Sequence, residues 1–144
     1  MMLRYLLDTS IVSAPVSKNP DPGILEQLEK HGPDCAIAAP VWHELTYGVR
    51  RLSEGKRRVA LETYLQDVVR ASFPILPYDE VAAAWHGRER ARLEALGRPA
   101  PYVDSQIASI AQVNGLVLVT ANPDDFVHFK DLSVENWTRK TRRR

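Results

Sequence analysis

A single α/β domain, its mostly parallel sheet flanked by helices on both faces, is what the sequence predicts, on three observations. The chain has 144 residues, the size of one ordinary domain. Short apolar runs recur without polar alternation, as strands buried on both faces do. Segments of helical period separate those runs, and strands alternating with helices favour right-handed crossovers and a parallel sheet. Leu3 to Leu7 is the first strand; Cys35 to Ala39, Phe73 to Leu76 and Leu116 to Val119 follow. Trp42, Leu45, Val49 and Leu52 recur at three and four, as do Leu61, Tyr64, Leu65, Val68 and Val69 in a second helical segment. A third helix begins at Asp79 and runs to Leu96, where Gly97 and Pro99 supply stop chemistry. Ile107, Ala108 and Ala111 form the inner stripe of a fourth, and Leu132 to Trp137 adds an edge strand.

Composition narrows the class further. Apolar residues make up 44% and charged residues 26%, with 19 basic against 18 acidic side chains, which excludes a disordered or collagen-like chain. The lone Cys35 forms no internal disulfide and no zinc cage, so a reducing cytoplasm is expected. The apolar start is too short for a signal segment, and no stretch approaches the ~20 apolar residues of a membrane span. Charge is uneven: with Arg139, Lys140, Arg142, Arg143 and Arg144 set aside, 14 basic and 18 acidic side chains remain. Residues 1–138 therefore form the predicted domain and 139–144 a basic tail. A second basic cluster, Arg50, Arg51, Lys56, Arg57 and Arg58, surrounds a Ser-Glu-Gly turn and is either a solvated loop or a surface for a phosphate backbone.

In open parallel sheets ligands gather beyond the carboxyl ends of the strands. The first strand delivers Asp8 with Thr9 and Ser10, and the second leads through Pro40 into a helix whose opening carries Glu44. The Gly97–Pro101 loop leads to a helix opening at Asp104, and the fourth strand delivers Thr120, Asn122, Asp124 and Asp125. Each acid has a plainer alternative: an Asx turn or cap for Asp8, a first-turn acid on the helix dipole for Glu44, an N-cap for Asp104, a turn for Asp124 or Asp125. Together, carboxylates meeting at one rim stay ionised only around a positive charge, and no Lys or Arg lies among these motifs. Oxygen-only donors suit Mg²⁺ or Mn²⁺ completed by substrate phosphate, which points to metal-assisted hydrolysis of nucleic acid.

Four motifs in order carry a family resemblance: Leu6-Leu7-Asp8-Thr9-Ser10, His43-Glu44-Leu45-Thr46-Tyr47-Gly48, Gly97-Arg98-Pro99 leading to Asp104 with Ile107-Ala108, and Val119-Thr120-Ala121-Asn122 through Asp125-Phe126. With the closing Glu135-Asn136-Trp137, the chain resembles the PIN-domain ribonucleases, and among them the toxin component of VapBC-type toxin–antitoxin pairs. The resemblance implies that Asp8, Glu44 and Asp104 are acidic metal ligands. The family's fourth acidic position falls on the neutral Asn122, so either Asp125 assists or one metal is held. Ser10 and Thr120 become supporting hydrogen-bond partners. A further implication is an Mg²⁺- or Mn²⁺-dependent endoribonuclease that cuts structured RNA, such as transfer or ribosomal RNA, leaving 5′-phosphate and 3′-hydroxyl ends. A cognate VapB-type antitoxin over the cleft and a homodimer are implied too, with the two basic clusters as RNA-steering surfaces.

Other chemistries find less support. His43 and Glu44 begin a zincin-like pair, but the residue four after His43 is Tyr47. No dinucleotide fingerprint or phosphate-loop lysine is present. Cys35 reads as an inert buried thiol, His31, His86 and His128 as surface or packing residues, and Trp42, Trp85 and Trp137 as core or interface. A non-catalytic RNA- or protein-binding module of the same fold, and a nuclease acting on DNA, are the alternatives.

Overall fold

A computed structural model describes residues 2–139. Five parallel strands form one sheet in the order β3-β2-β1-β4-β5. They are β1 (Tyr5–Leu7), β2 (Cys35–Ala38), β3 (Ile75–Leu76), β4 (Val117–Val119) and β5 (Val134–Glu135). The central β1 pairs on both sides, Leu6 opposite Ala36 and Leu118, Leu7 opposite Ile37 and Val119. Every residue of β1 and β2 is buried, which is why neither strand alternates. Each predicted strand is present but shorter, because the apolar run extends into the loops that close the core.

Seven α-helices lie between the strands: α1 (Thr9–Val12), α2 (Pro22–His31), α3 (Ala39–Arg50), α4 (Lys56–Thr63), α5 (Arg70–Ser72), α6 (Glu80–Ala95) and α7 (Tyr102–Val113). Neither α1 nor α2 was expected from periodicity. A π-helical stretch, Tyr64–Val69, joins α4 to α5. Its wider winding keeps Leu65 and Val69 inside but turns Val68 outward to 45% exposure, which corrects the regular stripe predicted there. Asp79 caps α6 through the Ala82 amide. Two helix starts differ from expectation. Ala39 opens α3 rather than ending β2, so Glu44 lies beyond the first turn, and α7 opens at Tyr102 after Pro101 rather than at Asp104. Among the described residues no helix is long and apolar enough to cross a membrane.

After β1 the chain builds β2 and β3 on one side of it, then returns to build β4 and β5 on the other. The carboxyl ends of β1 and β4 are therefore the topological switch point, where an open parallel sheet leaves its crevice. Cys35 is fully buried with its thiol pushed up to about 12 by burial, an inert group as expected. Trp137 is buried edge-on to Tyr5 with His31 alongside, so the segment before the tail is core.

The chain end is docked through residue 139. Asp21 caps α2 through Gly23 and Ile24 and also accepts the Arg139 amide at 2.9 Å, while the Arg139 guanidinium meets Glu26. Lys140 and Arg142 to Arg144 lie outside the described residues. A Cβ on Gly23 would stand 2.6 Å from the Trp137 carbonyl oxygen and 2.8 Å from the Arg139 nitrogen, both backbone atoms. Gly23→Ala therefore sets an overpacking cost of about 1–3 kcal/mol against an unfolded-state gain of about 0.4–1 kcal/mol. The expected result is a melting temperature lowered by roughly 2–6 °C, read by calorimetry. An unchanged or raised value would show that residues 137–139 yield freely.

Candidate active site at the sheet switch point

The site starts at the last residues of two neighbouring strands. Asp8, the first residue past β1, donates its amide to the Val119 carbonyl, which fixes it beside the end of β4. Its side chain caps α1, Oδ1 accepting from the Thr9 amide at 2.8 Å, and Oδ2 accepts from the Thr120 hydroxyl at 2.8 Å. Asp8 is thus a helix cap and a member of the rim at once. Thr120 is fully buried, and its oxygen also accepts the Asn122 amide. Ser10 accepts from the Ala121 amide at 3.1 Å. Both predicted supporting residues therefore brace the Asp8 loop against the segment after β4.

Thr9, which the sequence places at the rim without a role, joins the site. Its hydroxyl donates to Glu44 Oε1 at 2.6 Å while its amide holds Asp8, so one residue bridges the two carboxylates. Glu44 lies on the second turn of α3, which removes its first-turn dipole reading. Asp104, in the first turn of α7, caps nothing: the N-cap is Pro101, and Ser105 and Ser109 turn their hydroxyls back on their own helix.

Electrostatics tie the segments together. Burial first, then Asp8, Asp125 and Glu44, push the Asp104 carboxyl from 3.8 up to about 6. Burial likewise raises Asp8, against the opposing bonds from Thr120 and Thr9, and Glu44 and Asp125 add to the rise. Acids from the other three chain segments thus act on Asp104, Glu44 and Asp125 act on Asp8, and the charges that shift these two carboxyls are negative. Asn122 opens the short 3₁₀ turn Pro123–Phe126, and its carbonyl accepts the Asp125 amide. Asp125 shares a cavity wall with Asp104, while Asp124 is exposed and takes no part in this coupling.

The oxygen-only donors fit a hard divalent cation. Among the described residues no three His, Cys, Asp or Glu side chains converge closely enough to cage an ion directly.

Contacts limit the free charge of one basic cluster and correct one expectation about the acidic motifs. Of the basic cluster from Arg50 to Arg58, Arg50 and Arg58 both turn onto Glu62, at 2.7 and 3.7 Å, and Arg51 lies over the Tyr47 ring. Arg51, Lys56 and Arg57 have no carboxylate partner among the described residues, so the cluster offers less free charge than its composition suggests. A cation does lie among the acidic motifs: Arg98 lines the cavity that holds Asp104 and Asp125.

Residues 5–132 match the PIN domain family model. The tRNA(fMet)-specific endonuclease VapC of Shigella flexneri is 30% identical over 95% of this chain and 100% of its own length. Among solved structures, FitAcB from Neisseria gonorrhoeae superposes with a TM-score of 0.85 at 29% identity, covering 92% of this chain and 96% of that one. DNA-bound VapBC from Salmonella typhimurium gives 0.81 at 30% identity, covering 94% and 99%. The match runs through all four acidic segments, and the chain belongs to the PIN-domain family, among its VapC-type ribonuclease toxins.

Proposed function

We propose that this protein is a metal-dependent endoribonuclease that hydrolyses phosphodiester bonds of structured RNA, transfer or ribosomal, and so inhibits translation. The observation that carries the reading is the negative charge gathered at the switch point, where Glu44 and Asp125 raise the proton affinity of Asp8, and Asp8, Asp125 and Glu44 raise that of Asp104. Asp8, Glu44 and Asp104 are the residues to hold Mg²⁺ or Mn²⁺, with Asn122 and Asp125 beside them. When bound, the ion offsets the charge of the phosphodiester and makes a coordinated water more acidic. The protein's own part is positioning. Thr120 and the Thr9 amide fix both Asp8 oxygens, the Thr9 hydroxyl fixes Glu44, and Ser10 and Thr120 tie the loops that carry them. Hydrolysis breaks the P–O3′ bond, leaving a 3′-hydroxyl and a 5′-phosphate.

An antitoxin of the VapB type and a second copy of the chain are the expected protein partners, acting in the cytoplasm. Exposed apolar side chains such as Tyr47, Val81 and Tyr102 supply surface for them.

The deciding experiment incubates the purified protein with total cellular RNA and, separately, single- and double-stranded DNA, with Mg²⁺, Mn²⁺ or excess chelator. Defined RNA fragments that disappear with chelator are expected. No cleavage would favour the non-catalytic binding module, cleavage that survives chelator would remove the metal from the mechanism, and cleavage of DNA alone would reassign the substrate.

A further inference from the structure

We propose that Arg98 is a phosphate-binding residue of the substrate cleft, held at its post by His128. The inference rests on the nuclease reading above and assigns a contact beyond the acidic residues. Arg98 stands where α6 ends. Gly97, at φ 71°, donates its amide to the Glu94 carbonyl, and the Arg98 amide turns back to Leu93 at 2.8 Å. That is a left-handed helix stop in which the positive φ suits glycine. The turn delivers Arg98 to the wall of a cavity of about 360 Å³ whose lining includes Asp104, Asp125 and His128.

Arg98 is the one Lys or Arg on that wall, and no carboxylate among the described residues pairs with it. Its Nη1 donates to His128 Nε2 at 3.1 Å, so the imidazole orients the guanidinium without a carboxylate to cancel its charge. His128 is pinned in turn: its carbonyl accepts from Arg92, which is doubly bonded to the buried Glu89, and Glu89 also accepts the Lys130 amide. A positioned, unneutralised guanidinium beside an acidic cleft suits a polyanion, since its planar fork matches phosphate oxygens. It supplies attraction for the strand on the side where the carboxylates repel it. A phosphate of the RNA backbone near the scissile bond is the ligand this arrangement fits.

The test measures a fluorescein-labelled RNA oligonucleotide of mixed sequence binding to the full-length protein in chelator, across a salt series, and steady-state cleavage in Mg²⁺. Arg98→Ala is expected to reduce the slope of log affinity against log salt by about 0.7–0.9, one phosphate contact. KM should rise about 5–10-fold with kcat little changed, the pattern of lost uniform binding. Arg98→Lys should restore most of the slope, and His128→Ala should keep the slope while raising KM less. Arg98 is exposed, so the melting temperature should stay put and report a folded variant. A parent that binds and cleaves RNA beside an Arg98→Ala variant with unchanged slope and KM would overturn this contact alone. A parent that does neither would take the nuclease reading down with it.

Discussion

Asp8→Asn and Asp104→Asn are each expected to lower RNA cleavage by more than about 100-fold, because even the outer partners of a metal site are worth about 10–100-fold. Both should leave the metal-free protein at least as stable as the parent. The second half follows from the direction of the shifts. The folded chain holds the Asp104 proton up to about pH 6, whereas the unfolded chain releases it near 3.8. Between those values the folded state binds more protons, so this group's contribution is full below pH 3.8 and is lost as pH rises to about 6. Asn carries no charge to desolvate, and the loss disappears. Asp104 is only half-buried, so solvent screening holds the gain to about 1 kcal/mol at neutral pH. Asp8 shifts in the same direction, burial again the largest cause. Unfolding in chelator at pH 4.5 and 7.5 should show the parent losing relative stability at the higher pH and the variants losing less. Added Mg²⁺ should stabilise the parent more than either variant, since a ligand of the folded state adds RT ln(1 + [L]/Kd). Full cleavage by Asp8→Asn would remove the acids from the mechanism, and destabilised variants would make them structural.

That acids meet at the rim was legible because their positions follow from strand ends and helix starts. Asp8 ends a buried apolar run, and Asp104 lies one and two turns before Ile107 and Ala111 on the packed face. What the acids do to one another was readable only as repulsion. The role of Thr9 is not legible because its bridge to Glu44 depends on how α1 meets α3, and a four-residue helix leaves no periodicity to read. The start of α2 was signalled by Asp21-Pro22, a cap followed by proline, but Gly23 hid it as a poor helix former. That glycine is present because residues 137–139 pass too close for a Cβ. Arg98 stands in the Gly97-Arg98-Pro99 loop motif, and a loop's sequence does not say which wall its side chains line.

Glu89→Ala is expected to cost about 3 kcal/mol, the lower end for losing one partner of a buried ion pair. The signal was in the sequence: Ala82, His86, Glu89 and Leu93 follow one another at four, three and four, placing an acid on the buried seam of α6 with Arg92 three residues on. The Glu89 side chain is 8% exposed and Arg92 is 36% exposed. The carboxylate takes two bonds from Arg92, at 2.9 and 2.6 Å, and the Lys130 amide at 2.6 Å. Truncation strands that amide and frees an arginine able to reach water, so the cost stays at the lower end rather than the upper. The Arg92 guanidinium holds the Glu89 carboxyl below its ordinary value of 4.5, so its contribution is present above pH 4.5 and lost as pH falls through the folded value, opposite to Asp104. Glu89→Gln keeps an acceptor for the amide without the charge and should lose about half as much. Since the pair fastens His128 to Lys130, the stretch that follows Asp125, hydrogen exchange in residues 126–131 should rise well above that of the sheet in Glu89→Ala, and cleavage should fall more than the folded fraction does. Loss of stability with exchange unchanged in that stretch would confine Glu89 to the packing of α6 and separate it from the site.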